Sequence, residues 1–352
     1  MEKIIENAVN FIKNIDGETA IIYDNDGDGI SSTAIFSRVL KSHAKTVAKT
    51  GDEFFISEKI FQKIKKFNFI ITLDIPFDER PYYILKLAKK SKVLVIDHHQ
   101  IHKNLNVFKN VLHVNPELWQ NNFPSFKYCV SKIIFDIMSM IKSIENLDWL
   151  AAIGIVNDKC EDLWKDFLDS IYEKYNIKFS DIKLANDIIN SGYYCFGTRG
   201  AEIGYKACLE ATSPKDIINA KTPNSRKLKI LYKRIEKEIK MASSKWRKKA
   251  EIFEDKKLII LKLDTKLPIN SPISTKISIE KPNYTVIVTR KKGNMTFVSL
   301  RRQDGKVNCG ELAGNATRGL KNAKGGGHVP AAGASITSKE WKFFRSRILD
   351  LL

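Results

Sequence analysis

The chemistry of this chain starts with acidic residues placed just after apolar runs. TAIIY (19–23) is followed by Asp24 and then Asn25-Asp26-Gly27-Asp28-Gly29. NFIITL (68–73) leads into Asp74, KVLVI (92–96) into Asp97-His98-His99, and LAAIGIV (150–156) into Asn157-Asp158. Short apolar runs rich in β-branched residues read as buried strands, although a run as short as 150–156 fits a helix equally well. In an open parallel sheet the carboxyl ends of the strands face one crevice, where ligands bind. Asp24, Asp26, Asp28, Asp74, His98, His99 and Asp158 are therefore expected to converge. Carboxylates packed within a few ångströms repel, and their pKa values rise unless a cation neutralises them. Asp with His suits Mn²⁺ or Mg²⁺ rather than a thiolate-bound metal. Two such ions, about 3.5–4 Å apart and sharing a carboxylate, activate a water and stabilise in-line displacement at phosphorus.

Competing readings are weaker. A lone Asp after a strand is ordinarily a helix cap or turn residue, but here four such positions are in step. Asp24–Gly29 also matches the start of an EF-hand loop, which needs Glu at its twelfth position and a helix before it. Position twelve is Ile35 and a strand precedes, so that reading is set aside. Asp162 competes with Asp158; Asp158 is preferred because it directly follows the apolar run.

The elements that must position these residues alternate strand and helix. Strands are expected at 19–23, 68–73, 92–96 and 111–114, with helical patterns at about 30–42, 79–90 and 125–141. Near-continuous apolar strands alternating with helices indicate a parallel sheet covered on both faces. Residues 212–226 read as a linker or short connecting helix. Residues 227–250 are basic and helix-prone, with an apolar stripe at 228, 231, 235, 239, 242 and 246. Beyond them, 257–264, 284–290 and 295–302 are strand candidates, the last two joined as a hairpin through KKGN. A helical segment at 309–320, the glycine-rich GGGHVPAAGASI (325–336) and a terminal helix complete a smaller α/β domain. The expected division is 1–212, a connecting segment 213–250, and 251–352.

Composition bounds the rest. With 352 residues, 43% hydrophobic and 28% charged, the chain is long enough for two domains and too apolar for disorder. No apolar run approaches the ~18–20 residues of a membrane span. The five cysteines form no C-x-x-C pair, which favours a reduced, cytoplasmic protein over a disulfide framework. The net charge of +19 is segregated: residues 1–214 hold 27 Lys+Arg against 28 Asp+Glu, residues 215–352 hold 32 against 12. Such a basic half points to nucleic acid as partner.

Taken together, these motifs resemble the DHH phosphoesterase superfamily. Asp24–Gly29 resembles its DxDxDG motif, Asp74 the second motif, Asp97-His98-His99 the third and Asp158 the fourth. His113-Val114-Asn115-Pro116 looks like the chain after the third motif in RecJ-type members, and GGGHVPAAG like the signature of the DHH-associated domain. The resemblance implies two domains with the active site in the cleft between them. It implies one ion held by Asp24, Asp26 and Asp74 and another by Asp28, Asp74, His98 and Asp158, with Mn²⁺ favoured over Mg²⁺. His99 would face the scissile phosphate, and Asp97 would orient a histidine. Arg301, with Arg302 as the fallback, and Gly325, Gly326, Gly327 and His328 would grip the substrate backbone. For base stacking, Tyr284, Phe297 and Trp246 are available, although each fits a core position better. Size and composition look like the short archaeal RecJ-like proteins. The expectation is a single-strand exonuclease for DNA or RNA, with replication or repair proteins as partners and no membrane. A dinucleotide or oligoribonucleotide phosphodiesterase and a non-catalytic replication scaffold are the alternatives. The oligoribonuclease branch carries a His where Asp24 stands here, and a scaffold would be expected to lose motif residues.

Overall fold

The computed structural model describes residues 2–40, 44–49, 56–118 and 125–352. The chain divides into two compact units, Met1–Tyr232 and Lys233–Leu352. The first runs α1 (Glu2–Lys13), β1 (Thr19–Tyr23), α2 (Gly27–Val39), β2 (Ala44–Ala48), α3 (Glu58–Ile64), β3 (Phe69–Leu73), α4 (Tyr82–Leu87), β4 (Lys92–Ile96) and β5 (Val111–Val114). It continues with α5 (Val130–Ser139), α6 (Asp148–Asn157), α7 (Lys165–Tyr175), α8 (Phe179–Phe196), α9 (Thr198–Glu210) and α10 (Pro214–Ile218), and α11 (Pro223–Lys249) leads out of it.

The five strands pair in the order β2-β1-β3-β4-β5, all parallel. Side chains alternate across a strand, and both faces are covered. Ile21, Tyr23, Ile71, Leu73, Leu94 and Ile96 pack with α1, α2, α5 and α6. Ala20, Ile22, Ile70, Val93 and Val95 pack with α3 and α4. Burial on both faces is why these strands read as unbroken apolar runs. The edge strand β2 had no such signature: AKTVA is half-covered and carries Lys45. The helical pattern expected over 30–42 extends past Leu40 into positions outside the described residues.

The choice left open for 150–156 is decided: residues 148–157 form the helix α6, and Asp158 caps its C-terminal end. The helix is buried all round from Asp148 to Val156, so its sequence shows neither period. Lys159 takes the left-handed conformation after the cap, φ 57°, and Cys160 N–H returns to Ile155 O at 2.9 Å.

In α11 the stripe positions Leu228, Ile235 and Trp246 are buried while Lys233, Arg234, Lys237 and Lys240 are turned outward. The second unit adds β6 (Glu251–Phe253), β7 (Leu258–Leu263), α12 (Asn270–Glu280), β8 (Thr285–Lys292), β9 (Met295–Arg301), α13 (Cys309–Thr317), β10 (Lys324–His328), β11 (Ala331–Thr337) and α14 (Trp341–Leu351). Its sheet has the order β10-β11-β9-β8-β7-β6, with only the β7–β8 pair parallel. No helix among the described residues is long and apolar enough to cross a membrane.

Close backbone approach fixes how α8 sits on α9. A Cβ at Gly200 would lie 1.8 Å from Gly192 O, and one at Gly192 would lie 2.4 Å from Gly200 O. Gly200→Ala should therefore push the helices apart and lower stability by about 1–3 kcal/mol, the usual range for overpacking. Chemical denaturation reads this; wild-type stability would contradict the tight crossing.

Candidate metal centre

β1, β3 and β4 are neighbours in register, with Tyr23, Leu73 and Ile96 side by side. The next residues are Asp24, Asp74 and Asp97, and each carries the ladder one step further. Asp24 N–H donates to Leu73 O at 3.2 Å, Asp74 N–H to Ile96 O at 3.0 Å and Asp97 N–H to Val114 O at 3.0 Å. Three acidic residues thus stand on adjacent strands, spaced about 4.8 Å apart. The connection after β1 runs to β2 on one side and the connection after β3 to β4 on the other, so Asp24 and Asp74 flank the topological switch point. Asp74 has φ 63°, a left-handed conformation that a side chain adopts at a cost of order 1 kcal/mol.

The remaining acids come from helix ends. Asp26 caps α2, its Oδ1 accepting from Asp28 N–H and Gly29 N–H, both at 3.2 Å. Asp28 lies fully buried in the first turn of α2 and accepts from the start of α5: Val130 N–H to Oδ2 at 2.7 Å and Ser131 N–H to Oδ1 at 2.8 Å. Only glycine fits at 154, where a Cβ would lie 2.1 Å from Asp28 Oδ1. His98 Nε2 is 3.5 Å from Asp74 Oδ1 and 3.4 Å from Asp158 Oδ2. Potential donor atoms of Asp24, Asp26 and Asp74 lie within 4.8 Å of one another, as do those of Asp74, His98 and His99 and those of Asp28, Cys129 and Asp158.

Every acid and histidine foreseen in the first unit is therefore brought together. Asp97 alone turns aside: its Oδ1 meets His99 Nδ1 at 2.7 Å, so the histidine it orients is His99. Asn115 Nδ2 donates to His99 O at 2.9 Å and steadies the same loop. Asp162 is exposed, paired with Lys127 at 2.8 Å, and takes no part.

The sequence reading missed Lys49, whose Nζ is 2.7 Å from Asp24 Oδ2. It directly follows β2, the strand without a signature. An amide chain was missed as well. Asn157 Nδ2 donates to Asp26 Oδ2 at 3.1 Å and Asp158 Oδ1 at 2.9 Å, and Asn157 Oδ1 accepts from Asn190 Nδ2 at 3.0 Å. Asn190 Nδ2 also donates to Asn186 Oδ1 at 3.1 Å. Asn157 stood next to Asp158 in the sequence; Asn186 and Asn190, one helical turn apart in α8, were recognisable only as a pair on one helix face.

Electrostatically the cluster is under-compensated. Among the described residues, Lys49 is the only lysine or arginine ion-paired with Asp24, Asp26, Asp28, Asp74 or Asp158. Burial, then the charge of Asp26, pushes the Asp24 carboxyl up to about 6 in spite of Lys49. Burial and then the charge of Asp28 raise Asp74 and Asp158 well above the usual carboxylate range. Asp158 Oδ2 and His98 Nδ1 are buried without a hydrogen-bond partner. Asp97 behaves oppositely: burial raises it, but the charge and hydrogen bond of His99 outweigh burial and bring it below its ordinary value. Burial lowers His99, and Asp97 more than reverses that. Oxygen and imidazole donors, excess negative charge and unpartnered buried atoms fit a hard divalent cation.

In the second unit, His328 pairs with Ala331 and Ala331 with Arg301, so His328 and Arg301 stand on one face of the sheet. The glycine-rich segment is the edge strand β10, not an open loop. A Cβ at Gly325 would lie 2.5 Å from Ala313 O, and one at Gly310 would lie 2.3 Å from Gly327 O, so these glycines admit α13 on the opposite face. Gly326 faces open space. Arg301 reaches Ser271 Oγ at 2.9 Å and Thr275 Oγ1 at 3.3 Å on α12. Arg302 is buried and held by Asp304 at 2.7 Å, so it is a structural residue and not a fallback for Arg301. Tyr284 and Trp246 are buried, and Trp246 donates to Glu280 at 3.1 Å.

A parallel sheet with an acid–histidine cluster at its switch point is the frame of a divalent-metal hydrolase. Residues 18–155 match the DHH family, N-terminal domain, and residues 257–352 match the DHHA1 domain. The chain belongs to the DHH superfamily of phosphoesterases. Its fold is that of RecJ from Thermus thermophilus, solved with Mn²⁺, at TM-score 0.71 and 17% identity over 99% of this chain and 54% of that one. The chain thus spans about half the length of that relative. The exonuclease RecJ bound to manganese matches at TM-score 0.69 and 16% identity, over 98% of this chain and 93% of that one. CDC45 from Entamoeba histolytica matches at TM-score 0.55 and 10% identity, over 99% and 98%. No curated protein matches by sequence.

The raised carboxyls set a pH dependence. With folded values above unfolded ones, the metal-free fold binds more protons than the unfolded chain. The stability these groups contribute is present below the ordinary carboxylate pKa and is lost as pH rises through about 6 and beyond. A divalent cation replaces those protons, so Mn²⁺ or Mg²⁺ should raise Tm more at about pH 7.5 than at about pH 5. Thermal melts with and without metal check this; an equal shift at both pH values would contradict it.

Proposed function

We propose that the chain is a metal-dependent exonuclease that hydrolyses single-stranded DNA or RNA to mononucleotides. The observation that carries the reading is the buried, under-compensated acid–histidine cluster at the switch point, with the Asp97–His99 pair beside it. Asp24, Asp26 and Asp74 would hold one divalent cation and Asp74, His98 and Asp158 a second, with Asp28 joining the second set while it anchors α5. Bound there, the cations would neutralise the cluster and supply Lewis acidity toward a phosphoryl oxygen and an attacking water. His99, its Nδ1 held by Asp97 and its side chain 41% exposed, leaves Nε2 to donate to a phosphate oxygen or pass a proton to the leaving oxygen. Asn157 keeps the Asp26 and Asp158 carboxylates in place.

The C-terminal part supports a polymeric substrate. Its excess of cations would repay contacts along a backbone more than contacts to a dinucleotide. Arg301, His328 and the open Gly326 belong to one stretch of sheet, a bed that a phosphodiester can approach closely. The intact ligand set argues against a non-catalytic scaffold, although the fold is shared with CDC45. Replication or repair proteins are the proposed partners.

A time course with Mn²⁺ on end-labelled single-stranded DNA and RNA, beside a dinucleotide, tests the reading. A ladder with mononucleotide release is expected, and its polarity follows from the label lost first. Cleavage of the dinucleotide alone would move the protein to small substrates. Asp74→Ala should abolish turnover, and a variant with normal turnover in Mn²⁺ would overturn the assignment of Asp74. Single-strand affinity should fall steeply with added salt, as counterion release requires; titrations at several salt concentrations that give a flat response would favour a small substrate.

A further inference from the structure

The part of α11 that belongs to the second unit carries a cationic row. Successive helix residues turn by about 100°, so Lys233, Lys237, Lys240, Met241, Ser244, Arg247 and Lys248 share one face, and every one is exposed. The two acids of this stretch, Glu236 and Glu238, fall to either side of the row. Arg247 is spent on Glu280. Lys233, Lys237, Lys240 and Lys248 make no ion pair among the described residues, and even Glu236, one turn before Lys240, does not pair with it. Lysines three and four residues apart are neighbours on a helix and repel. The row keeps two such pairs, Lys233 with Lys237 and Lys237 with Lys240, and leaves their charge uncompensated.

The opposite face fixes where the row points. Ile235 and Trp246 are buried there, and Trp246 Nε1 donates to Glu280 of α12 at 3.1 Å. From Lys233 to Lys248 the row runs about 22 Å along a rigid helix. Cations held in line before a partner arrives lower the ordering cost of binding. Ser244 turns its hydroxyl back to Met241 O at 3.0 Å. With no aromatic ring or side-chain amide in the row, nothing on it is suited to reading a base.

We propose that this row is a docking strip for the sugar–phosphate backbone of single-stranded nucleic acid, gripped without regard to sequence. The choice of a single strand rests on the nuclease reading. A cation on nearly every turn complements a polymer with a charge on every repeat, and counterion release repays each contact. Contacts of this kind position a strand without specifying its bases. The strip is a separate element from the stretch of sheet that carries Arg301 and His328.

Fluorescence anisotropy on the full chain, with EDTA to stop cleavage, tests it. The probes are a 30-mer of dT, a mixed-sequence 30-mer, the matching duplex and poly-glutamate. In the variant Lys233→Gln/Lys237→Gln/Lys240→Gln/Lys248→Gln, the slope of log affinity against log salt for both single strands should fall by about 3, at roughly 0.7 per lost contact. Its Tm should stay level or rise, because glutamine is a good helix former and the like-charge pairs are gone. A control with the same charge removed elsewhere in the unit, Lys291→Gln/Lys292→Gln/Lys339→Gln/Lys342→Gln, should keep the wild-type slope. An unchanged slope in the α11 variant, or an equal fall in the control, would overturn the strip. A loss confined to the duplex or to poly-glutamate would overturn the choice of a single strand. Cleavage with Mn²⁺ by the same wild-type preparation separates the two readings. Cleavage with an unchanged slope in the variant sinks this proposal alone, and strip-dependent binding without cleavage supports it while removing the nuclease.

Discussion

Five carboxylates, Asp24, Asp26, Asp28, Asp74 and Asp158, share one desolvated corner of the first unit, and their mutual repulsion is the constraint the surroundings answer to. Without compensation they would protonate or force the sheet edge apart. Compensation comes in graded form. Two backbone N–H groups of α5 hold Asp28, two of α2 hold Asp26, Asn157 bridges Asp26 and Asp158, and Lys49 neutralises Asp24. Asp74, between them all, has no such partner beyond His98 and keeps a strongly opposed charge. The fold thus holds the acids in place while leaving their charge for a cation to satisfy.

Much of the local structure serves this arrangement. Gly154 lets α6 approach Asp28, and Gly29 lets α2 begin against the backbone of Asp24, where a Cβ would lie 2.5 Å from the carbonyl oxygen. Two helix N-termini point their N–H groups at carboxylates, a favourable use of the helix dipole. Asp97 is separated from the cluster by its bond to His99, which gives one acid of the set a different role from its neighbours. The amide chain then extends the order of the centre into α8.

The second unit is built on other terms. Its sheet is mostly antiparallel, one core cluster lies under α13 and α14 while Ile273 and Ile277 of α12 are buried apart from it, and Gly325 and Gly310 let β10 and α13 approach closely. What remains open is Gly326, with Arg301 and His328 nearby on the same sheet. The glycine-rich signature therefore has two jobs that alternate along one strand, and only part of it is available to a ligand.

Four strands of the first sheet and the acids that follow them are legible in the residues alone. Burial on both faces demands unbroken apolar runs, and the candidate catalytic groups follow directly at their ends, so β1, β3, β4 and β5 and Asp24, Asp74, Asp97, His98 and His99 were all legible. Charge segregation and the order of the motifs were legible for the same reason: they are properties of composition and spacing. Tertiary structure decided what depends on contacts distant in sequence. The run before Asp158 was ambiguous because packing on all sides removes the periodicity that separates helix from strand. Lys49 arrives from an edge strand whose half-covered residues carry no pattern. Arg301 and Arg302 are adjacent and identical in type, and only pairing with Asp304 shows which one is spent on structure. Asn157, Asn186 and Asn190 become one chain because hydrogen bonds, unlike apolar burial, leave no periodic trace in the residues that make them.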